Sequence, residues 1–313
     1  MLNFLPGPIK ALFAFLFYTV NTLFWLCPII VFSLFKALIP LPLWQKVFSY
    51  LLDQMASNWV AVNTFNQKLF SKTEFVVSGL ENLNMQDWYL VLSNHQSWVD
   101  ILVLQRLLHG RIPFLKFFLK KELIYVPFLG LAWWALDFPF MKRYSQSFLK
   151  KHPELKGKDI ETTRKACEKF KHKPVSVMNF IEGTRFTRAK HDKQQAKFQY
   201  LLRPKAGGIA FVLEAMGEHL TKVVNVTILY PQGIPSFLDF ISGRVKKVVV
   251  AIDTIPIESH MIGDYYNDKQ FKIGFQKWVN QLWLEKDETL KAMNQQHGEQ
   301  YASQDPLAVK KSL

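Results

Sequence analysis

The sequence places one histidine and one aspartate five positions apart in the run Asn94-His95-Gln96-Ser97-Trp98-Val99-Asp100. The run lies where an apolar, strand-like stretch ends and a helix-like stretch begins. At such a turn the Asp100 carboxylate can fold back onto one imidazole nitrogen of His95, which fixes the tautomer and makes the other nitrogen a better base. The alternative interpretation is a helix cap made by Asn94 or Ser97 beside an unreactive histidine.

A second run, Phe180-Ile181-Glu182-Gly183-Thr184-Arg185, also follows a strand-like stretch. Its glycine turn, hydroxyl and guanidinium can offer hydrogen-bond donors to an anion, and arginine grips a phosphate with two of its N–H groups. The alternative is a glycine turn that carries a surface Arg–Glu pair of little energetic weight.

A third run, Phe138-Pro139-Phe140-Met141-Lys142-Arg143, is apolar and ends in two adjacent cations. It can place positive charge at the rim of a hydrophobic surface, as a phosphate-headed lipid requires. Alternatively, the two cations extend from a membrane edge towards water.

Together and in this order, these residues resemble the PlsC-type glycerolipid acyltransferase family. Asn94, His95 and Asp100 match the first family motif, N-H-x-x-x-x-D, and Arg143 matches the arginine that ends the second. The third motif, F-x-E-G-T-R, is matched by residues 180–185, and the fourth, an apolar strand with a proline, is loosely matched by residues 226–231.

The segments 201–205 and 226–231 are similar to a branch of this family that includes eukaryotic lysocardiolipin and lysophosphatidate acyltransferases and bacterial relatives of compact length. Two residues depart from the family pattern: Ile181 stands where proline is commoner, and Asn225 stands where the fourth motif has its early proline. These departures bear on the preference for acyl chain and headgroup.

The resemblance implies direct transfer of an acyl group from acyl-CoA or acyl-carrier protein to the sn-2 hydroxyl of a lysophospholipid, without an acyl-enzyme. No metal or other cofactor is expected, because the eight histidines show no H-E-x-x-H pattern or Cys/His cluster. The acceptor that the resemblance favours is 1-acylglycerol-3-phosphate, with lysophosphatidylglycerol or lysocardiolipin as alternatives.

The resemblance also implies roles for individual residues. His95 would be the general base, since an ordinary imidazole titrates near pH 6.5. The other implied roles are Asp100 orienting His95, Asn94 supporting it, and a site for the acceptor phosphate formed by Arg143, Glu182, Gly183, Thr184, Arg185 and Lys205. Within that site Glu182, being anionic, would position an arginine or a glycerol hydroxyl.

Two other classes of protein are compatible with these residues. One is a membrane lipid hydrolase or thioesterase in which the same base activates water, although the sequence has no G-x-S-x-G elbow. The other is a non-catalytic protein that binds anionic lipid or nucleic acid through its basic stretch. No nucleic-acid module is recognisable, and aromatic residues are not interleaved with the cations as stacking platforms would be, so nucleic acid is not an expected partner.

Strand-like and helix-like runs alternate after residue 70. We predict strands at 74–78, 89–92, 175–181, 223–230 and 247–255, and helices at 97–108, 160–172, 205–215 and 269–284. This alternation indicates an α/β fold with a mainly parallel sheet covered by helices, the glycerolipid acyltransferase fold, in which residues that follow the strands meet at one edge. The predicted organisation is a membrane-anchoring helical region at 1–72, the α/β domain at 73–290 and a polar, disordered tail at 291–313.

The N-terminal region contains a candidate membrane helix. Residues 11–35 carry no charged side chain, and Lys10 and Lys36 flank them; roughly 20 apolar residues suffice to cross a bilayer. Pro28 should bend this helix, so either a simple span or a re-entrant hairpin is expected. The run is too long for a signal peptide.

Residues 43–70 indicate an amphipathic helix on the membrane or on the main domain, or an ordinary core helix. Residues 124–140 indicate a membrane-facing or tunnel-lining segment.

The composition fits a lipid-facing protein. Of 313 residues, 49% are hydrophobic and 15% aromatic, more than a soluble core of this size needs. The net charge of +14 is concentrated in residues 142–205, where 18 Lys and Arg accompany 6 Asp and Glu. This stretch can face anionic headgroups or phosphate, or simply water.

The two cysteines, Cys27 and Cys167, give no sign of a disulfide or metal framework, which favours a reducing compartment. With the resemblance, these features imply a membrane-bound protein in a bacterial inner membrane, its catalytic domain on the cytoplasmic side.

Overall fold

The computed structural model describes residues 4–127, 129–138, 140–141 and 173–298. Two long helices, α1 (Gly7–Leu38) and α2 (Pro42–Phe70), precede an α/β domain. The strands are β1 (Glu74–Ser78), β2 (Tyr89–Ser93), β3 (Leu115–Phe117), β4 (Leu119–Lys120), β5 (Phe140–Met141), β6 (Ser176–Asn179), β7 (Lys222–Leu229) and β8 (Lys247–Pro256). The helices that follow α2 are α3 (Val99–Leu108), α4 (Leu129–Ala135), α5 (Arg188–Gln194), α6 (Ala206–Met216), α7 (Phe237–Ile241) and α8 (Lys269–His297).

Six strands form one sheet in the order β1-β8-β7-β2-β6-β3, and β4 pairs with β5 separately. Every neighbouring pair in the large sheet is parallel except β7 with β8, which is antiparallel. The predicted α/β class with a mainly parallel sheet is therefore confirmed.

Strand β2 lies in the middle of this sheet, with β6 on one side and β7 on the other. All five of its residues are buried, because helices cover both faces of a parallel sheet and leave no polar face along the strand. Since β2, β6 and β7 run in the same direction, the residues that follow them, Asn94, Phe180 and Tyr230, emerge at the same edge.

Helices cover the sheet on both faces. Leu90 and Leu92 of β2 pack into a core with α6 and the buried face of α8. The alternate residues Tyr89 and Val91 pack into a second core with α3, part of α7 and the adjoining end of α1. Successive strand residues point to opposite faces, so one strand contributes to both cores.

Helices α1 and α2 form an antiparallel pair connected by residues 39–41. Their interface contains polar contacts: the Asn21 side-chain amide donates to the Trp59 carbonyl oxygen (3.1 Å) and to Asn63 Oδ1 (2.8 Å), and that of Asn66 donates to the Ala14 carbonyl oxygen (3.1 Å). Among the described residues, one helix, α1, is long and apolar enough to cross a membrane. Its outward face is exposed and apolar.

Several elements differ from the predictions. Helix α1 continues unbroken through Pro28, and its partner in the hairpin is α2. Helix α8 extends to His297, well beyond the predicted end at residue 284, because its apolar stripe continues through the buried residues Leu290 and Met293. The sequence did not indicate β3, β4, β5, α5 or α7, which are short and mostly lack a hydrophobic period. The predicted helix at 160–172 lies outside the described residues.

The segment 124–140 contains α4, which packs beside α1 through Ala135 in a small apolar core. Leu131 and Trp134 of α4 remain exposed, at 44% and 46% of their surface. The membrane-facing and tunnel-lining interpretations of this segment both stay predictions.

Candidate active site

The His95 and Asp100 side chains meet as the spacing predicts. His95 Nδ1 lies 2.8 Å from Asp100 Oδ2, and the two side chains are 13% and 1% exposed. The imidazole also stacks on Phe180, with ring centroids 3.9 Å apart and planes 13° from parallel. Because Nδ1 faces the carboxylate and one ring face is covered, Nε2 is the nitrogen that can act on a substrate.

Asp100 receives four hydrogen-bond contacts. Besides the imidazole, its Oδ2 accepts from the backbone N–H groups of Gln96 (2.6 Å) and Ser97 (2.8 Å), and its Oδ1 accepts from the hydroxyl of Tyr230 (2.6 Å). These donors stabilise a buried carboxylate and fix its orientation towards the ring. The predicted His95–Asp100 contact is thus present, and the Ser97 hydroxyl also accepts from the Val99 N–H (3.1 Å) at the start of α3, as the helix-cap alternative expects.

Asn94 joins the ends of two strands. Its Nδ2 donates to the Ile228 carbonyl oxygen and its Oδ1 accepts from the Ile228 N–H, both at 2.9 Å. The side chain thus pairs with a β7 peptide just where β2 ends. This buried double hydrogen bond fixes the backbone immediately before His95.

Glu182 connects the two motif turns. Its carboxylate is fully buried, with Oε1 accepting from the His95 N–H (3.1 Å) and Oε2 accepting from the Leu202 N–H (3.0 Å). The Phe186 N–H donates to the His95 carbonyl oxygen (2.7 Å) and makes a further link between the turns. The assignment of Glu182 to the phosphate site, through an arginine or a glycerol hydroxyl, is therefore corrected: both oxygens bind backbone groups and the carboxyl holds His95 in place.

Burial raises the pKa of Glu182 to about 8, although its two backbone hydrogen bonds act in the opposite direction. Lys286 of α8 lies behind the same part of the sheet, where its Nζ donates to the Val226 carbonyl oxygen (2.6 Å) and to Thr227 Oγ1 (3.1 Å). Burial lowers the pKa of Lys286 to about 7, and the attraction of Asp253 and Glu182 opposes this shift. Burial therefore disfavours the charged form of both groups beneath the site.

Gly183 adopts a backbone conformation that only glycine reaches easily, with φ of +71°. The ammonium of Lys205 lies directly over it, and a Cβ at this position would be 3.0 Å from Lys205 Nζ. The next hydroxyl, Thr184 Oγ1, accepts from Lys190 Nζ (2.8 Å), which also donates to the Arg185 carbonyl oxygen (2.9 Å). Lys205, Thr184 and Gly183, predicted as phosphate-site residues, are thus adjacent.

Arg185 is exposed at the mouth of the site. Its guanidinium lies 5.0 Å from the centre of the Trp98 ring, a cation–π contact. Trp98 follows His95 by three residues and is itself 58% exposed. The structure therefore places Arg185 near the histidine turn, while Arg143, the other predicted cation of the phosphate site, lies outside the described residues.

Four further residues at or beneath the site were not predicted from the sequence: Tyr230, Trp98, Lys190 and Lys286. Tyr230 carried a detectable signal, because it directly follows a buried strand that neighbours β2 in the sheet. Trp98 lies within the first motif, at a position that the motif leaves unspecified. Lys190 and Lys286 are lysines on helices, and only the tertiary structure distinguishes them from solvated ones.

Similarity to known proteins assigns the chain to a family. A family model described as "Acyltransferase" matches residues 74–231, which include every strand end that carries the site. The chain belongs to the acyltransferase family. The resemblance inferred from the motifs is thereby confirmed.

Three curated acyltransferases illustrate the similarity. Lysocardiolipin acyltransferase 1 of Gallus gallus is 23% identical over 264 residues, which cover 80% of this chain and 64% of that protein. The probable 1-acyl-sn-glycerol-3-phosphate acyltransferase 5 of Arabidopsis thaliana is 26% identical, covering 68% of this chain and 63% of that protein. The human 1-acyl-sn-glycerol-3-phosphate acyltransferase gamma is 25% identical, with 68% and 56% covered. The chain thus spans less than two thirds of the length of these relatives.

A solved acyltransferase structure also aligns with the chain. The crystal structure of the 1-acyl-sn-glycerophosphate acyltransferase PlsC from Thermotoga maritima gives a TM-score of 0.49 at 18% identity, covering 91% of this chain and 98% of that one.

Proposed function

We propose that the protein transfers a fatty acyl group from an acyl thioester to the sn-2 hydroxyl of a lysophospholipid, with 1-acylglycerol-3-phosphate as the acceptor. The observation that carries the proposal is the His95–Asp100 hydrogen bond at the shared edge of β2, β6 and β7, in a chain of the acyltransferase family. A base oriented by a carboxylate is what the attack of a hydroxyl on a thioester requires.

The reaction is direct and needs no cofactor. His95 Nε2 takes the proton of the acceptor hydroxyl while its oxygen attacks the thioester carbonyl. The C–O bond forms, the C–S bond breaks, and the thiolate leaves with the proton that His95 returns. Asp100 stabilises the imidazolium between these two steps, and the charges at Arg185 and Lys205 attract the acceptor phosphate.

A second acceptor class has support from the similar proteins, since one is named a lysocardiolipin acyltransferase. Lysocardiolipin and lysophosphatidylglycerol carry phosphodiesters in place of a phosphomonoester. They would offer the same hydroxyl to His95 with less negative charge facing Arg185.

We also propose that the protein is membrane-bound, in a bacterial inner membrane with the α/β domain on the cytoplasmic side. The apolar outer face of α1 and the exposed Leu131 and Trp134 of α4 support membrane attachment. Carbonate extraction of membranes, with protease treatment of sealed vesicles of both orientations, tests the location and the side.

The decisive test of activity is an acceptor screen with labelled acyl-CoA, comparing the native protein with His95→Ala. We expect lysophosphatidate-dependent transfer by the native protein and a loss of at least about a hundredfold in the variant. His260→Ala is a matched control, because His260 is half-exposed and pairs only with Glu258 among the described ion pairs.

Other outcomes identify other functions. Consumption of acyl-CoA without any acceptor indicates a thioesterase, and activity that survives His95→Ala removes this residue as the base. Binding of anionic lipid without turnover of any donor indicates a non-catalytic lipid-binding protein.

A further inference from the structure

A lysine is buried within the apolar stripe of α8. The side chains that this helix turns towards the sheet include Val279, Leu282, Trp283 and Leu290, and Lys286 lies among them with 1% of its surface exposed. An ammonium group is seldom found in such surroundings, because burial removes its water and the protein must supply acceptors and negative charge instead. What Lys286 binds on the sheet therefore decides its role.

The ammonium of Lys286 binds the end of β7. Its Nζ donates to the Val226 carbonyl oxygen (2.6 Å) and to Thr227 Oγ1 (3.1 Å), and it lies 5.2 Å from the centre of the Trp283 ring. The two acceptors belong to consecutive residues of the strand, so one side chain of α8 holds this stretch of backbone and side chain together.

The same stretch of β7 holds the histidine turn from its other side. The next peptide, that of Ile228, makes both hydrogen bonds with the Asn94 side chain, and Asn94 directly precedes His95. Two residues further along, the Tyr230 hydroxyl donates to Asp100. Lys286 thus binds β7 immediately before the residues through which this strand contacts the catalytic pair.

A second connection between α8 and the site is electrostatic. The carboxyl groups of Asp253, on the neighbouring β8, and of Glu182 both act on the charge of Lys286. Glu182 is the carboxyl whose Oε1 accepts from the His95 N–H. Loss of the ammonium would therefore remove a cation from beneath the histidine turn as well as a donor to β7.

We propose that Lys286 is a positioning residue, which fixes the end of β7 and through it the orientation of the His95 imidazole. The inference rests on the proposed acyl transfer and adds to it a residue of α8, a helix that lies outside residues 74–231 of the family match. Because Lys286 is buried and away from the exposed Arg185 and Lys205, its removal should slow the chemical step without weakening acceptor binding.

Lys286→Met keeps the length of the side chain and removes the donor. In the assay with labelled acyl-CoA and lysophosphatidate we expect kcat to fall roughly tenfold, while neither KM changes by more than about twofold. Leu290→Ala, one turn further along α8, is the matched control. It opens a cavity in the same buried face and lowers the unfolding temperature, but it removes no side-chain hydrogen bond, so kcat of the folded protein should stay at the native value.

Thr227 gives a second series of variants that leaves the lysine in place. Thr227→Val removes one acceptor of the ammonium at nearly constant volume, whereas Thr227→Ser retains a hydroxyl. We expect kcat to fall about threefold in Thr227→Val and less in Thr227→Ser. Lys286→Met/Thr227→Val should have the kcat of Lys286→Met alone, since the two residues act through one contact. Should Lys286→Met fail to fold, the comparison of Thr227→Val with Thr227→Ser decides by itself.

The proton between His95 Nδ1 and Asp100 Oδ2 gives a readout that does not depend on turnover. Its low-field resonance, in protein labelled at the histidine ring nitrogens, is identified by its absence from His95→Ala. We expect this resonance to move in Lys286→Met and to keep its position in Leu290→Ala.

Three results would overturn the inference: a native kcat in folded Lys286→Met, equal losses of kcat in Lys286→Met and Leu290→Ala, or equal losses in Thr227→Val and Thr227→Ser. A native protein that transfers no acyl group, but whose His95 resonance responds to Lys286→Met, would instead overturn the proposed function and leave the positioning role of Lys286 in place.

Discussion

The Tyr230 hydroxyl donates a 2.6 Å hydrogen bond to Asp100 Oδ1, on the side of the carboxylate opposite to His95. Both Tyr230 and Asp100 are 1% exposed. The bond joins the end of β7 to the first turn of α3, and through it the fourth family motif contacts the first. Tyr230 is therefore a positioning residue, which acts on the base through the carboxylate.

Tyr230→Phe keeps the packed ring and removes the donor. We expect kcat to fall roughly tenfold with an unchanged acceptor KM, since a hydrogen bond to a charged group is worth about 1.5–3 kcal/mol and a buried oxygen loses its partner. The acidic limb of the kcat/KM profile should move to higher pH, because the less solvated carboxylate holds the imidazolium more strongly. A fall in kcat at every pH without movement of that limb would assign Tyr230 to packing alone.

Trp98 should position the guanidinium of Arg185. Trp98→Ala removes the ring and should raise the acceptor KM by roughly two- to fivefold with little change in kcat, since an exposed cation–π contact is worth about 0.5–1 kcal/mol. Trp98→Phe, which retains an aromatic face, should recover most of the loss. Steady-state kinetics at several acceptor concentrations separate the two constants, and a change in kcat alone contradicts this role.

Glu182 should make the folded state less stable as the pH rises. The folded protein holds the Glu182 proton up to about pH 8, whereas an ordinary glutamate loses it near 4.5. The folded state thus binds more protons in this window, and the free energy of unfolding falls as the pH increases from about 4.5 towards 8. Below about pH 7, Lys286 is protonated in both states and does not contribute a slope.

Glu182→Gln cannot titrate and should flatten this decline. Thermal unfolding in detergent at about pH 5 and about pH 6.5 gives the slope for both proteins. The variant should be less stable at the lower pH, since its amide oxygen accepts from one of the two backbone N–H groups and its NH2 group, a donor, faces the other. Equal slopes for the two proteins would show that Glu182 ionises normally.

Gly183 should not tolerate a side chain. Gly183→Ala forces an L-residue into the left-handed region at a cost of about 1–2 kcal/mol and pushes its Cβ against Lys205 Nζ. We expect a lower unfolding temperature and a higher acceptor KM. Gly274→Ala on α8 is the matched control, because no atom lies within 4 Å of the added Cβ and alanine favours a helix. Equal unfolding temperatures for the two variants would contradict the strain argument.

The sequence contained enough information for five of the six strands of the large sheet and for the central pair of the site. Buried strands such as β2 and β7 are continuous apolar runs, and the polar residue that follows each run marks the edge where strand ends meet. The approach of His95 to Asp100 required only local spacing, so it could be predicted without the tertiary structure.

The remainder depended on contacts between distant residues. Glu182 was misassigned because a carboxylate next to Gly183 and Arg185 gives no sign that two backbone N–H groups, at His95 and Leu202, occupy it. The position of Tyr230 at a strand end is visible in the sequence, but its partner is not, since Asp100 lies 130 positions away in the chain. Strands of two or three residues, such as β3 and β4, carry too few residues for a period to be visible.

The amide hydrogen bonds at the interface of α1 and α2 hold α1 in one register along α2. Sliding α1 by one turn would leave the Asn21 and Asn66 side chains without the carbonyl groups of Trp59 and Ala14, within a largely apolar contact. An apolar helix of the same length without these amides would keep the hydropathy of α1 but would lose its fixed register against α2. The register of α1 against α2 therefore sets where the apolar outer face of α1 lies relative to the edge of the sheet that carries His95.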